Sequence, residues 1–297
     1  MDERFLISKK KTGLGSDMAT MLGAWYYAHR TSRTLVVDWR SSLYLADRKA
    51  NAFPYLFRKP EEIDGVKLIC DDSLRRLKFP KPVVFLHRME GCEYDALLTA
   101  GTDLPAPTLL CRRPMHIFPE LEAQKRFYSR LQLHDDVQQE IDEFRHKEFA
   151  DATVLGVHFR HGNGEYLGFR PDAGLHESCI QIAAACRQMY KVMKPTLRGR
   201  FRIFLATDSQ EAEQQLKLLL SSLFTRPKAF HEAGGGRLHR RDLGLENARN
   251  ALVEMYLLAH CNSLIYNNSW FSYYARLTGQ FDIPPVNLHP DTRYATL

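Results

Sequence analysis

Residues 4–39 read RFLISKKKTGLGSDMATMLGAWYYAHRTSRTLVVDW, and this stretch decides the fold class. Its opening, RFLIS (4–8), is short and apolar and predicts a strand. A glycine-containing turn follows at 11–17. Met18, Met21, Leu22, Trp25 and Tyr26 then recur at helical spacing, with Ser16 or Asp17 placed to cap the helix. TLVVDW (34–39) is a second apolar strand. Strand, helix and strand within about forty residues make a βαβ unit, and a βαβ unit implies a parallel sheet.

The alternation resumes in the second half. Residues 153–159 (TVLGVHF), 201–207 (FRIFLAT) and 263–266 (SLIY) predict strands. Helices are expected over 177–193, 210–223, 247–261 and 271–277. In the first of these, Ile180, Ala183, Ala184 and Met193 occupy apolar positions. The middle, 41–130, is less regular: strands at 66–70, 83–87 and 108–111 are separated by proline-broken pieces. A charged helix is expected over 134–148, and Gly234-Gly235-Gly236 belongs to a loop. The fold class is α/β, with two domains, 1–150 and 151–297.

Composition narrows the function. The 297 residues are 44% hydrophobic and 26% charged, which excludes a disordered or collagen-like chain. Lys and Arg number 41 against 35 Asp and Glu, a net +6 with no basic run stronger than Lys9-Lys10-Lys11. Nucleic-acid binders concentrate such charge on one face or tail, so no nucleic-acid partner is expected. An anionic small substrate is compatible with the charge. No apolar run approaches the ~18 residues of a membrane span, and the start carries no stretch suited to a signal peptide. Six cysteines without a CxxC pair read as reduced, mostly buried thiols, and a cytoplasmic protein is expected.

The chemistry gathers at predicted strand ends. Gly156-Val157-His158-Phe159-Arg160-His161-Gly162-Asn163-Gly164-Glu165 carries a strand into an arginine, two histidines, an amide and a carboxylate. Ligands of open α/β sheets bind beyond the carboxyl ends of strands. Arg160 would offer a planar fork to phosphate oxygens there, and Glu165 a general base. Asp208 follows the strand ending in Ala206-Thr207 and so also stands at the carboxyl edge of the sheet, although by itself it reads first as a helix cap, a role open to Ser209 as well. Tyr266-Asn267-Asn268-Ser269-Trp270 opens another helix, either as a phosphate-binding end or as a cap. Gly13-Leu14-Gly15-Ser16 is either a phosphate cradle or a tight βα turn. Asp38-Trp39-Arg40 reads as an exposed strand end, and Glu254 by itself as a solvated helix residue. No HExxH, paired CxxC or Asp-x-Asp motif supports a metal site. There is no Gly-x-Ser-x-Gly elbow for a hydrolase triad.

His-x-Arg-His-Gly-Asn-Gly-Glu (158–165), Ala-Thr-Asp (206–208) and the helix–strand–Ser segment 254–269 occur in an order that resembles the fucosyltransferase superfamily. That superfamily includes α-1,6-fucosyltransferases and protein O-fucosyltransferases, and the resemblance is nearest to the rhizobial nodulation-factor α-1,6-fucosyltransferases. Thr-Gly-Leu-Gly (12–15) and residues 33–40 are similar to it as well. The resemblance implies two Rossmann-like domains in the GT-B architecture. Residues 1–150 would lie on the acceptor side, and 151–297 would hold a GDP-fucose donor substrate with no cofactor or metal. It implies that Arg160 contacts the β-phosphate and that His158, His161, Asn163, Gly13, Gly15, Asp208, Glu254 and Ser269 line the donor site. Glu165, Arg160 and Asp208 are the implied catalytic residues. His161 stands where animal relatives carry a second arginine. The acceptor would be an oligosaccharide, a chitooligosaccharide or GlcNAc glycan joined α-1,6. Two alternatives are a GT-B enzyme using another nucleotide sugar and a non-catalytic sugar- or nucleotide-binding member. A third, a Rossmann-type oxidoreductase, lacks its full glycine fingerprint here.

Overall fold

β1 (Phe5–Ser8) is buried at all four residues, as a strand covered on both faces requires. In the computed structural model it sits inside a six-stranded sheet. The structure describes residues 3–9, 12–114, 120–160, 174–230, 244–267 and 269–288. The other strands of this sheet are β2 (Thr34–Val37), β3 (Glu62–Ile63), β4 (Val66–Ile69), β5 (Val83–Phe85) and β6 (Thr108–Cys111), in the order β3-β4-β2-β1-β6-β5. All pairings are parallel except the short β3–β4 hairpin.

α1 (Leu14–Thr31) makes the crossover from β1 to β2, and all five of its expected apolar positions are buried. Its N-cap is Gly13, not Ser16 or Asp17. The helix begins before those two residues, so both fall in its first turn. Asp17 instead turns back to accept from the Thr12 backbone N–H and hydroxyl. Two further helices emerge from the irregular middle, α2 (Gly91–Ala100) and α3 (Leu121–Arg130). Phe127 of α3 packs on Trp25, ring centroids 5.0 Å apart. The Asp38-Trp39-Arg40 strand end is buried rather than exposed, with Trp39 at 1% exposure. Asn51 explains this: it accepts from the Trp39 N–H and donates to the Val37 and Cys70 carbonyls, folding the chain back over the strand end.

The second sheet has five parallel strands: β7 (Ala152–Phe159), β8 (Arg200–Thr207), β9 (Leu223–Thr225), β10 (Ser263–Tyr266) and β11 (Val286–Asn287). Their order is β11-β10-β7-β8-β9. Its helices are α4 (Asp135–Glu148), α5 (Leu175–Met193), α6 (Gln210–Leu219), α7 (Gly244–Ala259) and α8 (Trp270–Thr278). α5 buries Cys179, Ile182, Ala183, Cys186, Met189 and Met193, whereas Ile180 and Ala184 point outward. α6 stops at Leu219, four residues before the expected end. Leu216, Leu219, Leu220 and Leu223 keep helical spacing, but Ser221-Ser222 turns the chain and Leu223–Thr225 pairs with β8 as the edge strand β9.

Two compact units result, Met1–Asp135 with His239–Arg249 and Asp136–Leu238 with Asn250–Leu297. The expected boundary near residue 150 lies one helix further along than this division. α4 belongs with the second sheet because Phe144 meets Phe204 and Phe224 at 5.8 and 6.2 Å and Glu148 pairs with Arg202 at 2.6 Å. Gly156 lets α7 press onto β7. A Cβ there would meet Cys261 Sγ at 3.0 Å and Leu258 Cδ2 at 3.2 Å. All six cysteines are free, five of them buried and Cys92 exposed. No helix among the described residues is long and apolar enough to cross a membrane.

Candidate functional site

The carboxyl edge of the second sheet collects the side chains that the motifs singled out. β7 delivers His158 and Arg160, β8 ends at Thr207 before Asp208, and β10 ends at Tyr266 before Asn267. The parallel register sets His158 level with Ala206 on one side and Tyr266 on the other. Arg160 and Asn267 therefore emerge side by side. The Asn267 amide locks the pair: its Oδ1 accepts from the Arg160 backbone N–H at 3.3 Å, and its Nδ2 donates to the Arg160 carbonyl at 3.2 Å. Asn267 is itself buried, and its carbonyl accepts from the Ser272 hydroxyl at 2.7 Å. The Arg160 backbone is thus held at both its N–H and its carbonyl. Its Nε is buried with no partner among the described residues. That is a donor left over for a ligand.

His158 stacks on Phe271 of α8, ring centroids 4.7 Å apart and planes 18° off parallel. Burial pushes its pKa down to about 3, helped by the charges of Arg160 and Lys228. The ring is neutral at physiological pH, and its buried Nδ1 has no partner among the described residues.

Ser269 is the N-cap of α8, its hydroxyl accepting from the Ser272 N–H at 3.1 Å. Ser209, not Asp208, caps α6, accepting from the Ala212 N–H at 3.2 Å. Asp208 is half-buried at the end of β8. In the first unit, the N–H groups of Leu14, Ser16 and Asp17 are taken by the Tyr44 hydroxyl and the Gly13 carbonyl. The Gly13–Gly15 segment therefore has the bonding of a tight βα turn. Glu165, His161 and Asn163 lie outside the described residues.

Glu254 overturns its surface reading. It is 5% exposed and accepts from Lys228 Nζ with both oxygens, at 2.6 and 2.8 Å. Helix geometry puts it there. Glu254 lies one turn before Leu258, which packs beside Gly156, and one helical turn spans about the same length as the two strand residues from Gly156 to His158. Burial raises the Glu254 pKa, opposed by the Lys228 charge. Lys228 also stands 5.2 Å from the Phe230 ring centroid. Neither Lys228 nor the clamp made by Asn267 was among the sequence-level candidates. Lys228 follows an edge strand in an aperiodic stretch, so no pattern flags it. The Asn267 signal was present, an amide directly after an apolar strand. No group of His, Cys, Asp and Glu among the described residues could hold a metal ion.

The family model for Nodulation protein Z (NodZ) matches residues 2–88 and 84–286. The chain belongs to the NodZ family. Nodulation protein Z of Sinorhizobium fredii is 34% identical over 302 residues, covering 94% of this chain and 92% of that protein. A crystal structure of the fucosyltransferase NodZ from Bradyrhizobium superposes with a TM-score of 0.79 at 31% identity, covering 94% of this chain and 93% of that one. A NodZ α-1,6-fucosyltransferase soaked with GDP-fucose gives 0.75 at 32% identity, with 94% and 93% covered. The NodZ-family chain and these solved structures share a mixed α/β fold with parallel sheets.

Proposed function

We propose that this chain is a glycosyltransferase that moves fucose from GDP-fucose to a carbohydrate acceptor, with inversion and without a metal. The acceptor is an oligosaccharide, a chitooligosaccharide or GlcNAc glycan, and the new bond is α-1,6. The observation that carries this reading is Arg160, held by the Asn267 clamp with a buried, unpartnered Nε. It stands in a chain that aligns along 94% of its length with a NodZ enzyme soaked with GDP-fucose. The proposed architecture is GT-B, two Rossmann-like domains with the donor on the second and the acceptor on the first.

In this reading the Arg160 guanidinium binds the diphosphate through charge-assisted hydrogen bonds and stabilises the charge that grows as GDP leaves. The start of α8 adds a helix N-terminus, whose field favours an anion. Neutral His158 offers a ring nitrogen without adding charge, and Glu254 accepts hydrogen bonds from the donor at a site kept polar by Lys228. The acceptor hydroxyl attacks the anomeric carbon opposite the phosphate. The C–O bond to the β-phosphate breaks, its electron pair leaves with GDP, and a carboxylate takes the acceptor proton. We assign that base to Glu165, with Asp208 as its rival.

Incubation with GDP-fucose and chitotetraose in EDTA tests the proposal. A fucosylated product of inverted anomeric configuration and one GDP per transfer are expected. Consumption of another nucleotide sugar in place of GDP-fucose would refute the donor. Activity that appears only when magnesium or manganese is restored would refute metal independence.

A further inference from the structure

The carboxyl edge of the first sheet carries a second concentration of chemistry that the fucosyl-transfer site does not use. β5 and β6 run parallel with Phe85 paired to Leu110. Two residues beyond each lie His87 and Arg112, with Arg88 and Arg113 next along. The register therefore brings one imidazole and three guanidinium groups to a single sheet end, where ligands of parallel sheets bind.

Two of the guanidinium groups are held by aromatic faces. Arg88 lies 4.6 Å from the Phe85 ring centroid, and Arg113 lies 4.3 Å from that of Tyr94. Tyr94 is buried, and its hydroxyl is anchored by Cys111 Sγ and the Arg113 carbonyl, each at 2.7 Å. Arg113 also donates to the Glu90 carbonyl at 2.9 Å. Glu90 thus contributes its backbone and not its carboxylate. Among the described residues no carboxylate forms an ion pair with Arg88, Arg112 or Arg113. Burial and the charges of Arg112, Arg88 and Arg113 together hold the His87 pKa below the ordinary histidine value, against a hydrogen bond of the ring with the Leu110 backbone. Positive charge is therefore concentrated here without an ion-paired carboxylate among the described residues.

Two polar atoms are left over. His87 Nδ1 and Arg113 Nε are both buried without a hydrogen-bond partner among the described residues. Arg88 and Arg112 are exposed, so the cluster is open to solvent on one side. Guanidinium planes set by aromatic faces, buried nitrogens without a partner and positive charge free of ion pairs among the described residues are what an oxyanion needs.

We propose that His87, Arg88, Arg112 and Arg113 form a binding site for an oxyanion: a sulfate, phosphate or carboxylate group carried by the acceptor or free in solution. Anion binding stands independently of the fucosyl-transfer reading. Only the acceptor-borne source rests on it.

Calorimetric titration of the full chain in low-salt buffer tests the proposal with three probes: inorganic sulfate, neutral chitotetraose and chitotetraose sulfated at a hydroxyl other than the O6 that receives fucose. An acceptor-borne group predicts that the sulfated sugar binds at least about tenfold more tightly than the neutral one. A free ion predicts that inorganic sulfate binds while the two sugars bind alike. In either case Arg112→Gln should weaken the anion by about tenfold per guanidinium removed, and Arg88→Gln/Arg112→Gln by more. GDP affinity, measured in the same samples, should stay at the wild-type value and certifies that the exposed substitutions leave the fold intact. Absence of any anion preference in the wild type, or unchanged anion affinity in the double variant, would overturn the site. Failure of GDP to bind the wild type would instead count against the donor assignment, leaving the sulfate result to decide this one.

Discussion

Lys228→Met isolates the buried pair that underlies the donor-side edge. Both side chains are 7% exposed, and the single lysine nitrogen meets both carboxylate oxygens. An exposed pair would be worth about 0–1 kcal/mol. Here removal of the cation strands a carboxylate out of water, and the cost is about 3–5 kcal/mol. The pH dependence gives the sign. Burial already raises the Glu254 pKa above its ordinary value of 4.5, and loss of Lys228 raises it further. The folded variant then holds a proton that the unfolded chain releases, so its stability falls as pH rises from the unfolded value through the folded one. Urea denaturation should show a deficit of about 3–5 kcal/mol near roughly pH 7.5 that shrinks toward roughly pH 5 as Glu254 takes up its proton. Lys228→Met/Glu254→Gln removes both charges and should recover most of the loss. A Lys228→Met deficit under about 1 kcal/mol at both pH values, or one that grows on acidification, would refute the reasoning.

Arg160→Ala should weaken GDP by tenfold or more, on the order of 1.5–3 kcal/mol, and Arg160→Lys should restore only part because it lacks the fork; wild-type affinity by calorimetry in the alanine variant would remove Arg160 from the site. Glu165→Gln should lower kcat by ~10²–10⁴ with GDP affinity retained, the signature of a lost general base. If only Asp208→Asn loses turnover while still binding GDP, the base is Asp208. His158 has a folded pKa of about 3 against 6.5. The unfolded chain therefore binds its proton first, and stability contributed by the neutral ring is lost as pH falls from 6.5 toward 3. His158→Gln should flatten that acid limb of the stability curve, and an unchanged limb would show that other groups govern it.

The parallel α/β fold and the identity of the main strands were legible because their signals are local. RFLIS, TLVV, TVLGVHF and FRIFLAT are apolar runs bounded by polar turns, and the helix between the first two keeps its spacing over Met18 to Tyr26. The placement of Arg160 and Asp208 after strands and of Ser269 at a helix start was legible for the same reason. Local pattern fails where packing chooses. Leu216, Leu219, Leu220 and Leu223 keep helical spacing across Ser221-Ser222, so only pairing with β8 decides that the end of this segment is a strand. Ile180 and Cys179 are both apolar neighbours, and only the direction of the sheet beneath α5 decides which of them is buried. The same holds for charge. Nothing in the sequence near Glu254 marks it as buried, because its partner is Lys228, 26 residues away. His87 and Arg112 meet through the β5–β6 register alone. Sequence sets which groups a strand end carries, whereas tertiary structure sets which strand ends are neighbours. Hydrogen bonding and ion pairing act over a few ångströms of space, whatever the distance along the chain.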